Sequence, residues 1–150
     1  MLVQDVMVKD VRTTKVDEPI RTVAAIICTT KFNGVPVVDE ENRLIGFVSE
    51  KDILNAMLPS YADYLNDPVR SRDFEGMEEC YPRVLSKSVK ELMTHKVITV
   101  HPEDPLLMAA SRMTLRGFRR LPVVDADNRL VGMVSLGDIH KAIFKRELGI

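Results

Sequence analysis

Two Ser-x-x-Asp pairs, Ser49 with Asp52 and Ser135 with Asp138, stand where an apolar, β-prone run gives way to a helix-forming one. The spacing allows two kinds of chemistry. In the first, serine is a helix N-cap and aspartate closes a capping box three residues on, contributing about 1 kcal/mol of helix stability with no ligand involved. In the second, the hydroxyl and the first-turn amides meet a phosphate at the positive helix end, while the carboxylate accepts hydrogen bonds from ribose hydroxyls. A carboxylate has about four lone-pair positions, so the two uses are compatible. Four arginines form a second constellation. Arg119 and Arg120 directly precede the run Leu121-Pro122, and Arg112 and Arg116 lie four apart on the preceding helix. They either converge on a phosphate, which a guanidinium grips with two parallel hydrogen bonds, or form a solvated basic face.

These residues sit on a duplicated chain. Residues 3–53 align on residues 89–139 at a constant offset of 86, without a gap, giving 19 identities in 51 positions. Val35-Pro36-Val37-Val38-Asp39 returns as Leu121-Pro122-Val123-Val124-Asp125, and Asn42-Arg43-Leu44 as Asn128-Arg129-Leu130. Gly46, Ser49 and Asp52-Ile53 return as Gly132, Ser135 and Asp138-Ile139. The counterparts of Arg119 and Arg120 are Asn33 and Gly34, which supply an amide and exposed backbone but no charge, so the two clefts are expected to differ. Copies of about 50 residues are each too small for a comfortable core. They are expected to pack on one another about a pseudo-two-fold axis, so that any cleft at their junction occurs twice.

The periodicity supplies the positioning elements. Asp17 and Asp104, each followed closely by proline, read as helix starts. Ile20, Val23, Ala24 and Ile27, matched by Leu106, Ala109, Ala110 and Met113, form one apolar stripe. Val35–Val38 and Leu44–Val48 read as a hairpin around an Asp39–Asn42 turn. A helix with Ile53, Ala56 and Met57 follows, matched by Ile139, Ala142 and Ile143. With β-prone stretches at 11–14 and 97–100, each copy reads strand, helix, strand, strand, helix, preceded by a short helical lead-in at 3–7 or 89–93. The fold class is α/β (α+β), built of tandem repeats. The domains are expected at residues 1–58 and 88–150, with a helical insert at 59–87.

Composition excludes several functions. The chain has 150 residues, 45% of them hydrophobic and 29% charged, with a formal net charge of −1. No global field draws it to nucleic acid or anionic membrane. Its apolar runs, such as Val23–Cys28, are far below the roughly 20 residues that span a bilayer, and Met1–Asp5 has no basic signal-peptide start. A cytoplasmic protein is expected. Cys28 and Cys80 have no paired framework and read as reduced thiols. His95, His101 and His140 show no metal-ligand spacing and no nucleophile–base set is present, so neither a metal site nor an enzyme is expected.

The Pro-Val-Val-Asp strand, the Asn-Arg-Leu turn exit and the Gly-x-x-Ser-x-x-Asp-Ile ending, each present twice, resemble the cystathionine-β-synthase (CBS) domain pair, or Bateman module. The resemblance covers nearly the whole chain except the insert. It implies a sensor binding AMP, ADP or ATP, with S-adenosylmethionine and NAD as further adenosyl candidates, and no obligatory cofactor. It implies that the aspartates hold ribose and that a basic residue near Arg119 and Arg120 reaches phosphates. It also implies adenine recognition by first-strand backbone and sandwiching apolar groups, here Thr13, Thr14, Thr99, Val100, Val35, Leu121, Phe47 and Met133, along the Val35-Pro36 and Leu121-Pro122 strands. A homodimer through helical faces and a separate effector protein are implied as partners.

The insert holds all three tyrosines, Tyr61, Tyr64 and Tyr81. Ser60 and Asp63 form a capping-box pattern, Asn66-Asp67-Pro68 a turn, and Phe74, Met77 and Tyr81 an apolar stripe ended by Pro82. It is either a connector packed over the core or a lid or docking arm. The alternative to a sensor is a ligand-free interaction or dimerisation module with vestigial clefts. Nucleic-acid binding would have to use the arginines without an aromatic stacking platform.

Overall fold

The computed structural model describes residues 1–59 and 61–150. In the first copy a 3-10 turn, Val3–Asp5, precedes helix α1 (Ile20–Thr29), strands β1 (Gly34–Val38) and β2 (Leu44–Ser49), and a short helix α2 (Glu50–Asn55). The insert carries α3 (Tyr61–Asn66), a 3-10 turn (Arg70–Arg72), α4 (Phe74–Glu78) and α5 (Tyr81–Leu85). The second copy follows as α6 (Val89–Leu92), α7 (Leu106–Arg116), β3 (Arg120–Val124), β4 (Leu130–Ser135) and α8 (Leu136–Leu148). The class is mixed α/β, with two small antiparallel sheets of tandem repeats, β1–β2 and β3–β4.

Each expected first strand contributes only one parallel bridge, Thr14 to Val37 and Val100 to Val123. The amide of Thr14 donates to the Pro36 carbonyl at 3.0 Å, and that of Val100 to the Pro122 carbonyl at 3.2 Å. Pro36 and Pro122 have no N–H to return, which stops the ladder from extending.

The helix starts also differ from expectation. The N-cap positions of α1 and α7 are Pro19 and Pro105, without side-chain caps. Asp104 instead accepts the His101 amide at 2.8 Å. The first helical amides are satisfied by backbone: Ile20 donates to the Lys87 carbonyl at 2.8 Å, and Leu106 to the Met1 carbonyl at 3.0 Å. Carbonyls just before the lead-ins do the work assigned to aspartate, since an orphan amide at a helix start donates to any well-placed oxygen.

The compact units do not follow the copies. A terminal unit comprises Met1–Val11, Val38–Leu44 and Lys96–Ile150, and a central unit Arg12–Val37 and Ile45–His95. Each therefore combines the lead-in of one copy with the body of the other. In the terminal unit Val3 is fully buried with Val100, Leu106, Ala109, Met113, Leu121, Val123, Val134 and Ile139. In the central unit Val89 plays the same part with Ile20, Val23, Ile26, Val35, Val37, Val48, Ile53 and Val84. Ile26, rather than Ile27, is the buried residue on the last turn of α1, and Ile27 is half-buried beside it.

The glycines of the Gly-x-x-Ser motif admit the lead-ins. A Cβ on Gly46 would fall 2.8 Å from Met93 Sδ, and one on Gly132 would fall 2.8 Å from the Val8 carbonyl oxygen. The freed space lets Thr94 pair with Phe47 in the central unit, and Val8 with Met133 in the terminal unit.

The terminal unit also contains a reciprocal clasp between the two hairpin turns. Asn42 donates from Nδ2 to the Leu130 carbonyl, and Asn128 from Nδ2 to the Leu44 carbonyl, both at 2.9 Å. Backbone bonds run alongside, Leu44 N to Asn128 O and Leu130 N to Asn42 O, each at 3.0 Å. Both asparagines have φ of 64°, a left-handed conformation that asparagine tolerates better than most residues.

In the insert, α3 buries nothing, whereas Val84 of α5 joins the central core. Pro82 lies in the first turn of α5, so it starts a helix rather than ending one. Phe74 and Tyr81 fall on separate helices, and Phe74 is exposed, so the expected single stripe does not form. The expected pairing of Ser60 with Asp63 lies outside the described residues. Asp67 forms the expected turn, accepting the Arg70 amide at 3.1 Å.

Candidate ligand-binding sites

Each Ser-x-x-Asp pair lies with its companions inside one compact unit. In the central unit the end of β2 delivers Ser49 as N-cap of α2. Ser49 Oγ accepts the Asp52 amide at 3.2 Å, and Asp52 Oδ2 accepts the Ser49 amide at 2.9 Å and its hydroxyl at 3.1 Å. The other carboxylate oxygen, Oδ1, accepts the Thr94 hydroxyl at 3.3 Å. This is the full capping box, with two further donors to the carboxylate, the Ser49 and Thr94 hydroxyls.

The terminal unit repeats the backbone but not the bonding. Ser135 Oγ accepts the Asp138 amide at 3.0 Å. Among the described residues no donor reaches the carboxylate of Asp138, which is half-buried at the start of the 13-residue helix α8. Two first-turn amides are already committed in each copy. Glu50 N donates to the Asn33 carbonyl at 2.9 Å and Leu136 N to the Arg119 carbonyl at 2.8 Å, while the Asp52 and Asp138 amides bond serine. Fewer helix amides are thus available to an anion than the sequence suggests.

The walls of the sites differ as well. Arg120 opens β3 and pairs in register with Ser135 on β4, which places it across from the start of α8. Arg119 is exposed just before it. Arg112 donates from Nη1 to the Thr99 carbonyl at 2.9 Å and lies 4.0 Å from Asp104, while Arg116 is exposed on the last turn of α7. Arg112 is therefore tied to the backbone of a candidate ligand residue. In the central unit the place of Arg120 is taken by Gly34, and a Cβ there would fall 2.7 Å from Phe47 Cζ. Ring and glycine fill what arginine and Met133 form in the other copy.

Of the remaining candidates, Thr13, Thr99 and Phe47 are half-buried, Asn33 is exposed, and Val35, Pro36, Leu121, Pro122 and Met133 are buried. Thr14 is 1% exposed, and its hydroxyl donates to Glu18 Oε2 at 2.9 Å. Thr94 was not singled out by its residue type. The signal available was the alignment itself, in which a hydroxyl at 94 faces Val8. A recess of about 390 Å³ where α2 meets the insert, lined by Met57, Asp67, Arg70 and Met77 among others, includes none of the sequence-derived site residues. Among the described residues no three His, Cys, Asp or Glu side chains group to hold a metal, and no helix is long and apolar enough to cross a membrane.

The chain is 32% identical to protein MJ1426 of Methanocaldococcus jannaschii, over 95% of its own length and 91% of that protein's. It also matches longer enzymes: it is 27% identical to a homoserine O-acetyltransferase of Methanohalobium evestigatum, of which it spans 24%. Among solved structures it is similar to CBSX2, a CBS-pair protein of Arabidopsis thaliana, in complex with AMP, with a TM-score of 0.74 and 26% identity over 97% of this chain and 98% of that one. It is likewise similar to the CBS domain pair of protein MJ0100 in complex with 5′-methylthioadenosine and S-adenosyl-L-methionine, with a TM-score of 0.70 and 27% identity over the same shares. The CBS domain pattern itself matches residues 3–59 and 89–145. With both copies matched, the chain belongs to the CBS domain family, as a CBS domain pair.

Proposed function

We propose that this CBS pair is a regulatory module that binds an adenosine-containing ligand and signals to a separate partner protein. The observation that carries the reading is Asp138. Its half-buried carboxylate accepts no donor among the described residues, beside a capping serine and across from Arg120, in a chain similar over nearly its full length to AMP-bound and S-adenosylmethionine-bound CBS pairs. A carboxylate held there suits the two adjacent hydroxyls of ribose, and guanidinium groups suit phosphate. AMP, ADP and ATP are the first candidates, with S-adenosylmethionine and NAD next. The role is regulatory rather than catalytic. A ligand that binds two conformations unequally shifts their balance, and that shift is the signal. A homodimer through helical faces is part of the same reading, supported by the exposed Leu107 and Leu115 of α7 and Phe144 and Leu148 of α8.

The test is thermal unfolding with AMP, ADP, ATP, S-adenosylmethionine and NAD in turn. Ligand at about a hundred times its dissociation constant adds roughly 2.7 kcal/mol, which for a chain of this size raises Tm by roughly 5–11 °C. If none of the five moves the transition, the chain is a ligand-free interaction module.

A further inference from the structure

We infer that the two sites fill in a fixed order, Asp138 before Asp52, and that the Thr94 hydroxyl is what holds the Asp52 site back. This rests on the reading that an adenosyl ligand is gripped through its ribose. A carboxylate offers about four lone-pair positions. At Asp52 three are taken, by the Ser49 amide, the Ser49 hydroxyl and the Thr94 hydroxyl. A vicinal diol brings two donors, so one existing bond must break before both can be received. At Asp138 none is taken among the described residues, and the diol enters without displacing anything.

Thr94 is the bond most easily given up, because it is the longest of the three and its donor is exposed. It is also the one the other copy cannot make, since the equivalent residue is Val8, which occupies the matching bridge to Met133. The walls act in the same direction. Where the Asp138 site has Arg120, the Asp52 site has Gly34 covered by the Phe47 ring, so the weaker carboxylate also lacks a guanidinium for phosphate. When ligand does occupy Asp52, the released Thr94 sits on the segment that bridges Phe47. Filling the second site therefore loosens a side-chain tie between the lead-in of the second copy and the body of the first, which filling the first site does not.

The test is calorimetric titration of AMP into the full chain, as wild type and as Asp138→Asn, Asp52→Asn, Thr94→Val and Val8→Thr. Two classes of site are expected, differing at least tenfold. Asp138→Asn should abolish the tight class and Asp52→Asn should leave it. Thr94→Val should tighten the weak class about tenfold, and Val8→Thr should weaken the tight one. A ligand-free measurement guards against misfolded variants: Asp52→Ala should lower Tm by several degrees more than Asp138→Ala, because among the described residues Asp52 alone of the two satisfies donors of its own fold. Equal sites, loss of the tight class in Asp52→Asn, an unmoved weak class in Thr94→Val, or equal Tm losses for the two alanine variants would each overturn the ordering. Absence of any AMP binding, with the Tm difference intact, would instead remove the ligand reading on which the order depends.

Discussion

Replacing Asn42 or Asn128 tests the clasp that joins the hairpin turns of the terminal unit. Each asparagine does two things: it holds φ at 64°, and it donates one side-chain hydrogen bond across to the other turn. Alanine removes the bond and keeps a Cβ in the left-handed region, whereas glycine removes the bond and relieves the backbone. The bond is worth about 1 kcal/mol net, and the left-handed conformation costs a non-glycine residue a further 1–2 kcal/mol. Asn42→Ala should therefore destabilise by about 2–3 kcal/mol. Asn42→Gly should cost about 1–2 kcal/mol, because the greater freedom of glycine in the unfolded chain returns part of the relief. For a chain of this length the alanine variant should melt roughly 4–12 °C lower. The double variant Asn42→Ala/Asn128→Ala should cost less than the sum, since the two turns share the backbone bonds Leu44 N to Asn128 O and Leu130 N to Asn42 O. Urea unfolding followed by circular dichroism measures the wild type, Asn42→Ala, Asn42→Gly, Asn128→Ala and the double variant. A loss below 0.5 kcal/mol for alanine, or glycine worse than alanine, would refute the account of both turns.

Two further outcomes test the difference between the copies. Gly34→Arg, which writes the second copy's residue into the first, should destabilise by about 1–3 kcal/mol because a Cβ there meets the Phe47 ring; adding Phe47→Met should recover at least about 1 kcal/mol of it, checked by a double-mutant cycle in urea. Arg119→Ala and Arg120→Ala should weaken ATP binding about tenfold or more while changing AMP affinity only a few-fold, as charge-assisted contacts to the outer phosphates are lost; equal losses for the two nucleotides in calorimetry would place the arginines away from the phosphates.

Most of the scaffold was legible because its signals are local. The stripe from Ile20 and its copy from Leu106 specify helices by spacing alone, and Val35–Val38 followed by turn residues and Leu44–Val48 specifies a hairpin. What was missed depends on partners distant in sequence. The first amides of α1 and α7 take carbonyls from Lys87 and Met1, and no local pattern shows that a lead-in will arrive there. The same exchange buries Val3 with the second copy and Val89 with the first. Pro82 could start or stop a helix equally well, and only the turn before it decides. At the sites, Ser49 and Asp52 make the expected capping box, while their use in ligand binding belongs to the proposal, and the sequence carries no sign of which use prevails. On the proposed reading that depends on Thr94, 42 residues from Asp52, whose hydroxyl fills an acceptor position that no described residue fills at Asp138.

The distribution of identities between the copies gives the asymmetry a physical basis. From Pro36 to Ile53 the copies agree at proline, the strand valines, the clasp asparagine and the glycine that admits a lead-in, all positions where geometry permits few substitutes. Among the positions at which they differ, 33, 34, 47 and 94, against 119, 120, 133 and 8, lie at the edge of a Ser-x-x-Asp pair. Folding pressure does not require those four exchanges, because the strands, the bridges to Phe47 and Met133 and the serine caps are the same in both copies. Their chemistry is nevertheless concerted: one edge gains two guanidiniums and an open carboxylate, while the other gains a ring over glycine and a hydroxyl that satisfies its acid. Two equivalent pockets would report only how much ligand is present, with one midpoint. On the proposed reading, two pockets separated in affinity by a single hydroxyl and an arginine would respond over two concentration ranges, which a duplicated scaffold with divergent edges can provide and a single copy cannot.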